Sequence, residues 1–65
     1  VTIKLNGEAR EVAATTLDAL LVELGLADAV VATARNCDFV AKEDRPATPV
    51  VDGDAIEIVA PMQGG

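Results

Sequence analysis

A chain of 65 residues is long enough for one domain and no more, and it buries only about 60% of the surface its unfolded form exposes. Hydrophobic residues make up 51% of it but Phe39 is the only aromatic, so a globular core must be built from Leu, Ile, Val and Ala, and disorder is excluded. Five basic residues against eleven acidic ones leave a net charge of −6, with no basic run and almost no stacking residue to hold nucleic acid; such a charge keeps a small domain soluble or steers it toward basic protein surfaces.

Residues 1–5, VTIKL, alternate apolar and polar, the period of a half-buried strand. Asn6-Gly7 follows, and both residues tolerate the positive φ of a tight hairpin turn. Residues 8–13 read as the returning strand, with charges suited to a sheet edge. A two-residue loop sets Ile3 opposite Arg10, a mismatch that leaves a three- or four-residue loop open as an alternative. Thr15-Thr16 offers a helix N-cap, with Asp18 near the positive end of the dipole. Leu17, Leu20, Leu21 and Leu24 form one apolar stripe, read as a core face. Gly25 supplies a left-handed C-terminal residue, after which Leu26 folds back on Leu21.

Residues 30–35 predict a third strand, Asn36-Cys37-Asp38 a turn, and Phe39-Val40 a short strand. Residues 42–45, KEDR, predict one helical turn before Pro46. Asp52-Gly53-Asp54 breaks the chain again. Residues 55–60 alternate as a last strand, with Ile56 and Ile58 toward the core and Glu57 and Val59 away from it. Pro61 ends it, having no donor for the ladder. The order strand, strand, helix, strand, short elements, strand describes a small α+β domain with one helix across one face of a mixed sheet. Residues 1–60 form the domain and residues 61–65 a flexible tail.

Catalytic side chains are scarce. Without His, neither a Ser-His nor a Cys-His pair can be built, and one Cys without His makes no usual zinc site. Asp52-Gly53-Asp54 lacks the further ligands of a calcium loop and reads as a turn. Glu43-Asp44, between Lys42 and Arg45, reads as a self-neutralised solvated turn. Cys37 has Arg35 near it in sequence but Asp38 beside it, and reads as an incidental turn residue and not a nucleophile. It cannot form an internal disulfide. With no secretory leader and no run of about 18 apolar residues, the expected compartment is the cytoplasm, with no membrane contact. Any chemistry must be carried by the main chain.

The last six residues, APMQGG, fit that requirement. Gly64 and Gly65 have no Cβ, so they can thread a narrow channel and leave a terminal acyl carbon open to attack. On the dipeptide alone, ordinary terminal fraying is the competing reading.

Taken together, "IKLNGEAREV" (residues 3–12), "TTLDALLVELGL" (residues 15–26) and "DGDAIEIVAPMQGG" (residues 52–65) make the chain resemble the ubiquitin-like β-grasp proteins. The resemblance is greatest to the sulfur carriers of thiamine thiazole biosynthesis, the ThiS family. It implies a β-grasp fold of four to five strands with one main helix on one face. It also implies a sulfur carrier, not an enzyme, that binds no cofactor itself. An adenylating enzyme similar to ubiquitin E1 would use ATP to activate the Gly65 carboxylate. Persulfide sulfur from a cysteine desulfurase would replace the adenylate, and thiazole synthase would accept the sulfur from the Gly65 thiocarboxylate. Gly64 would give clearance, Met62 and Gln63 would contact the partner's tail channel, and Val59 would belong to a docking surface. The stretch "ARNCDFVAKEDRP" departs from the family pattern, with Arg35 at a usually apolar position, Cys37 at a turn position, Ala41 where Pro is frequent and Arg45 in place of a frequent aromatic. The same fold and tail leave two alternatives within reach: the small subunit of molybdopterin synthase, usually longer and more often with two prolines in its tail, and a protein modifier conjugated to lysines. A pure interaction domain with an inert tail is the third.

Overall fold

The computed structural model describes residues 1–60; the tail, and with it Met62, Gln63, Gly64 and Gly65, lies outside the described residues. Five strands form one sheet: β1 (Thr2–Leu5), β2 (Glu8–Glu11), β3 (Ala32–Arg35), β4 (Asp38–Val40) and β5 (Ala55–Val59). A helix, α1 (Leu17–Glu23), and a 3₁₀ helix (Lys42–Ala47) complete the elements. The strand order is β2-β1-β5-β3-β4, with β1 and β5 parallel and the other neighbours antiparallel. The last strand therefore runs through the centre of the sheet.

The alternation read from the sequence sets the faces. Ile3, Ile56 and Ile58 turn inward and pack with Leu17, Leu20 and Leu21 of α1 and with Val12, Val40 and Val50. Each such side chain contributes about 1.5–3 kcal/mol by leaving water. Helix α1 has only seven residues, too few to stand alone, and both of its ends are tied. The Thr16 hydroxyl accepts from the Ala19 N–H at 3.1 Å, so Thr16 and not Thr15 is the cap. At the other end Leu26 N–H donates to the Leu21 carbonyl at 2.7 Å and Gly25 N–H to that of Val22 at 3.0 Å, with Gly25 at φ +77°. That is the expected Schellman stop.

The first hairpin has the two-residue loop, with Asn6 at φ +51° and Gly7 at φ +87°. Ile3 does stand opposite Arg10. The mismatch costs nothing because β2 is an edge strand whose four residues are all exposed, beyond the area α1 covers. Strand β2 is also shorter than expected. Past Glu11 the chain turns toward the helix, and the Glu23 carboxylate accepts the N–H groups of Ala13 and Ala14 at 2.9–3.2 Å.

Further boundaries differ from expectation: β1 starts at Thr2 and not Val1, β5 stops at Val59 and not Ala60, and three larger differences have local causes. β3 begins at Ala32, not at residue 30, because its ladder with β5 starts at the Ala32–Val59 pair and the Val31 carbonyl is taken by Arg45. Asp38 belongs to β4, opposite Arg35, which leaves a two-residue turn at Asn36 (φ +51°) and Cys37 (φ +73°). The 3₁₀ helix runs through Pro46 rather than stopping before it. With i→i+3 bonding, a proline there removes a single bond.

Two asparagines fix β5 in place. The Asn6 side chain donates to the Ile58 carbonyl (3.1 Å) and accepts from the Ile58 N–H (2.9 Å), which extends the β1–β5 ladder past the end of β1. On the other flank the Asn36 side-chain oxygen accepts from the Ala55 N–H at 2.9 Å, and the Asn36 N–H donates to the Ala55 carbonyl at 2.7 Å.

Candidate functional site

The start of β5 is locked. Asp54, 5% exposed, receives Arg35 Nε at 2.9 Å and Nη2 at 3.3 Å, Asn36 Nδ2 at 3.0 Å and the Val51 N–H at 2.9 Å. Burial alone would raise its pKa. The Arg35 guanidinium, the Val51 N–H and the Asn36 amide outweigh that and hold the carboxyl below its ordinary value. The neighbouring Asp52 carboxylate accepts the Thr2 N–H at 2.7 Å. The two aspartates of the Asp-Gly-Asp turn are thus occupied with backbone and Arg35. Among the described residues no group of three or more Cys, Asp or Glu side chains is placed to hold a metal ion.

At the finish of β5 the backbone is held by Asn6 and β3, but the outward side chain is uncovered. Val59 is 58% exposed on the sheet face opposite the helix, two residues before the tail. Its cross-strand partner is Ala32; Ala34 pairs with Glu57 on one side and with Phe39 on the other. Alternation puts all of these on one face. Phe39 is 73% exposed there. Small Ala32 and Ala34 form the floor, and Phe39 and Val59 the sides, of a shallow concavity of about 250 Å³ that Glu57 also borders. These apolar side chains lie open to solvent on an otherwise acidic domain.

Phe39 was missed as a site residue by sequence reasoning. The signal was available: in D-F-V one of two adjacent apolar side chains must face away from the core, and Val40 is the buried one. Cys37 is exposed in the β3–β4 turn, at the end of β3 away from the finish of β5. Glu43 and Asp44 are exposed on the 3₁₀ helix, and the Asp44 carbonyl accepts the Thr48 hydroxyl at 2.7 Å. None of these three joins the face around Val59. Among the described residues no helix is long and apolar enough to cross a membrane.

Known proteins match this chain over almost all of its length. It is 45% identical over 62 residues to a thiazole synthase of Paramagnetospirillum magneticum, covering 94% of this chain and 19% of that protein, so the chain spans about a fifth of this larger relative. It is 41% identical over 61 residues to the sulfur carrier protein ThiS of Thermus thermophilus, covering 94% of this chain and 95% of that one. The crystal structure of the thiamine biosynthesis protein ThiS from Geobacter metallireducens superposes with a TM-score of 0.85 at 32% identity over the full length of both chains, which identifies the fold as β-grasp. A solution structure of a thiamine biosynthesis protein from the same organism gives 0.80 at 30% identity, covering all of this chain and 88% of that one. The ThiS family model matches residues 3–65, through the final Gly-Gly, and the chain belongs to the ThiS family.

Proposed function

We propose that this protein is a sulfur carrier for the thiazole ring of thiamine, with its sulfur held on the carboxyl group of Gly65. The observation that carries the reading is that the family match runs through Gly64-Gly65, in a chain without His and with one exposed cysteine. The protein is a co-substrate and not a catalyst. It needs no bound cofactor, because ATP is consumed by the enzyme that activates it.

The chemistry runs on the main chain. A carboxylate oxygen of Gly65 attacks the α-phosphorus of ATP on an E1-like adenylating enzyme, and pyrophosphate leaves. The terminal sulfur of a desulfurase-derived persulfide attacks the acyl carbon, and AMP leaves. A thiol then reduces the resulting acyl disulfide by two electrons and frees the Gly65 thiocarboxylate. Thiazole synthase takes the sulfur from it. Gly64 leaves the acyl carbon unobstructed, and Met62 and Gln63 are the tail's contacts in the partner's channel.

The contact face of Val59, Phe39, Ala32 and Ala34 ends where this tail begins, so one partner can hold the face and draw in the tail. Similarity to a segment of a thiazole synthase supports that enzyme as the acceptor, since joining carrier and acceptor in one chain raises their mutual concentration to about the millimolar range. The matched family and both relatives favour the thiamine branch over molybdopterin synthase and over protein modification. The single free cysteine suits the cytoplasm, where thiols stay reduced.

ATP–pyrophosphate exchange tests the activation step. With the adenylating enzyme, exchange depends on this protein and vanishes when Gly65 is removed. Equal exchange with the shortened chain would refute the reading.

A further inference from the structure

Arg45 is the least expected buried residue in the molecule. It lies in a charged run, yet it is only 7% exposed. Its Nε donates to Thr33 Oγ1 at 3.0 Å and its Nη2 to the Val31 carbonyl at 2.7 Å; the Thr33 hydroxyl in turn donates to the Val40 carbonyl at 2.8 Å. These acceptors are all neutral. Among the described residues no carboxylate lies within 4.0 Å of the guanidinium, and both ion pairs present involve other groups. A desolvated cation without a counter-charge is costly. The third nitrogen, Nη1, has no acceptor among the described residues, and it is not sealed off from solvent.

Arg45 borders a cavity of about 240 Å³. Lys42 and the 27–31 loop form the rest of its wall, and Asp28 is the one carboxylate there. Lys42 and Arg45 are the two cations of its wall, with Glu43 and Asp44 exposed between them on the same 3₁₀ helix but outside the lining. Its place in the fold is specific. Val31 precedes Ala32, which pairs with Val59, so the recess sits at the end of the sheet where β5 finishes.

The geometry points to an oxyanion site for a phosphate group, held by Arg45 Nη1 and the Lys42 ammonium. Arg45 is already fixed by its two neutral acceptors, so it can offer the remaining nitrogen without losing further side-chain freedom. Lys42, exposed on the 3₁₀ helix, supplies the second charge. Asp28, in the same wall, repels an anionic ligand. The chemistry is shared by inorganic phosphate and by the phosphate of a nucleotide.

Titration of the isotope-labelled full chain, followed by amide NMR at constant ionic strength, tests the site. Inorganic phosphate and AMP are the two ligand arms, with chloride and acetate as controls. The expected result is saturable shifts confined to the amides of residues 27–33 and 42–45, from phosphate and not from chloride or acetate. Lys42→Ala weakens binding about tenfold, as for one lost charge-assisted contact, and Asp28→Asn tightens it. Both residues are exposed, so neither variant threatens the fold. Saturation by AMP at lower concentration than by phosphate assigns the nucleotide as the source, and the reverse assigns free phosphate. Non-saturating shifts, the same pattern with acetate or chloride, or unchanged binding in Lys42→Ala would overturn the site.

Discussion

The two ends of β5 are built for different purposes. At its start, Asp54 gathers an arginine, an asparagine amide and a backbone N–H around a buried carboxylate. At its finish, Val59 and its neighbours offer apolar side chains to solvent beside the tail. Below about 70–80 residues a single core supplies only about 3–5 kcal/mol, so stabilising contacts cannot be placed everywhere. Here the buried charge pair holds the end of the strand away from the tail, whereas near the finish Asn6 and β3 hold the backbone and the outward side chain of Val59 is left open to solvent.

The sharpest way to break that contrast is Asp54→Ala. It leaves Arg35 half-buried without its partner and should cost about 2–4 kcal/mol, somewhat below the about 3–5 kcal/mol of a fully buried broken pair because Arg35 is partly solvated. Urea denaturation measures it, and most of the domain's stability should go. The same carboxylate makes stability depend on pH. Its folded pKa lies below the ordinary 3.8. Its contribution is therefore complete above that value and is lost as pH falls through the folded pKa. In Asp54→Asn the acid limb of a stability–pH curve should flatten.

Changes at the other end should do the reverse. Phe39→Ser is expected to weaken binding to the adenylating enzyme about tenfold, as for a central apolar contact, while shifting stability by no more than about 0.5 kcal/mol. Val59→Ala should weaken binding only a few-fold. Isothermal titration alongside denaturation separates the two effects; a Phe39→Ser protein that binds normally would remove this face from the site. The smallest change expected is at Cys37. A non-glycine residue at φ +73° is strained, and Cys37→Gly should gain about 0.5 kcal/mol once the extra unfolded-state freedom of glycine is offset. Thermal melting with the partner-binding constant unchanged would show it.

What the sequence revealed depended on the distance between partners. The Thr16 cap, the Leu26 fold-back, the Asn-Gly turn and the alternation of β5 were legible because their partners lie within a few residues or follow a fixed period. Arg35, Asn6, Asn36 and Arg45 were not. Each serves a partner 12 to 52 positions away, and no local pattern announces that. Arg35 and Arg45 looked like departures from the family pattern; one meets Asp54 and the other Thr33 and Val31. The candidate face was half legible. Alternation brought out Val59, but Phe39 joined it only when the sheet order set β4 two strands from β5.

The central claim is that Gly65 carries sulfur, and intact mass spectrometry tests it most directly. The protein is incubated with ATP, the adenylating enzyme and a persulfide or sulfide donor, with a thiol present. A sulfur carrier gains the mass of one sulfur in exchange for one oxygen, localised by fragmentation to Gly65. An unmodified mass, from a partner shown to be active on another carrier, would contradict the claim.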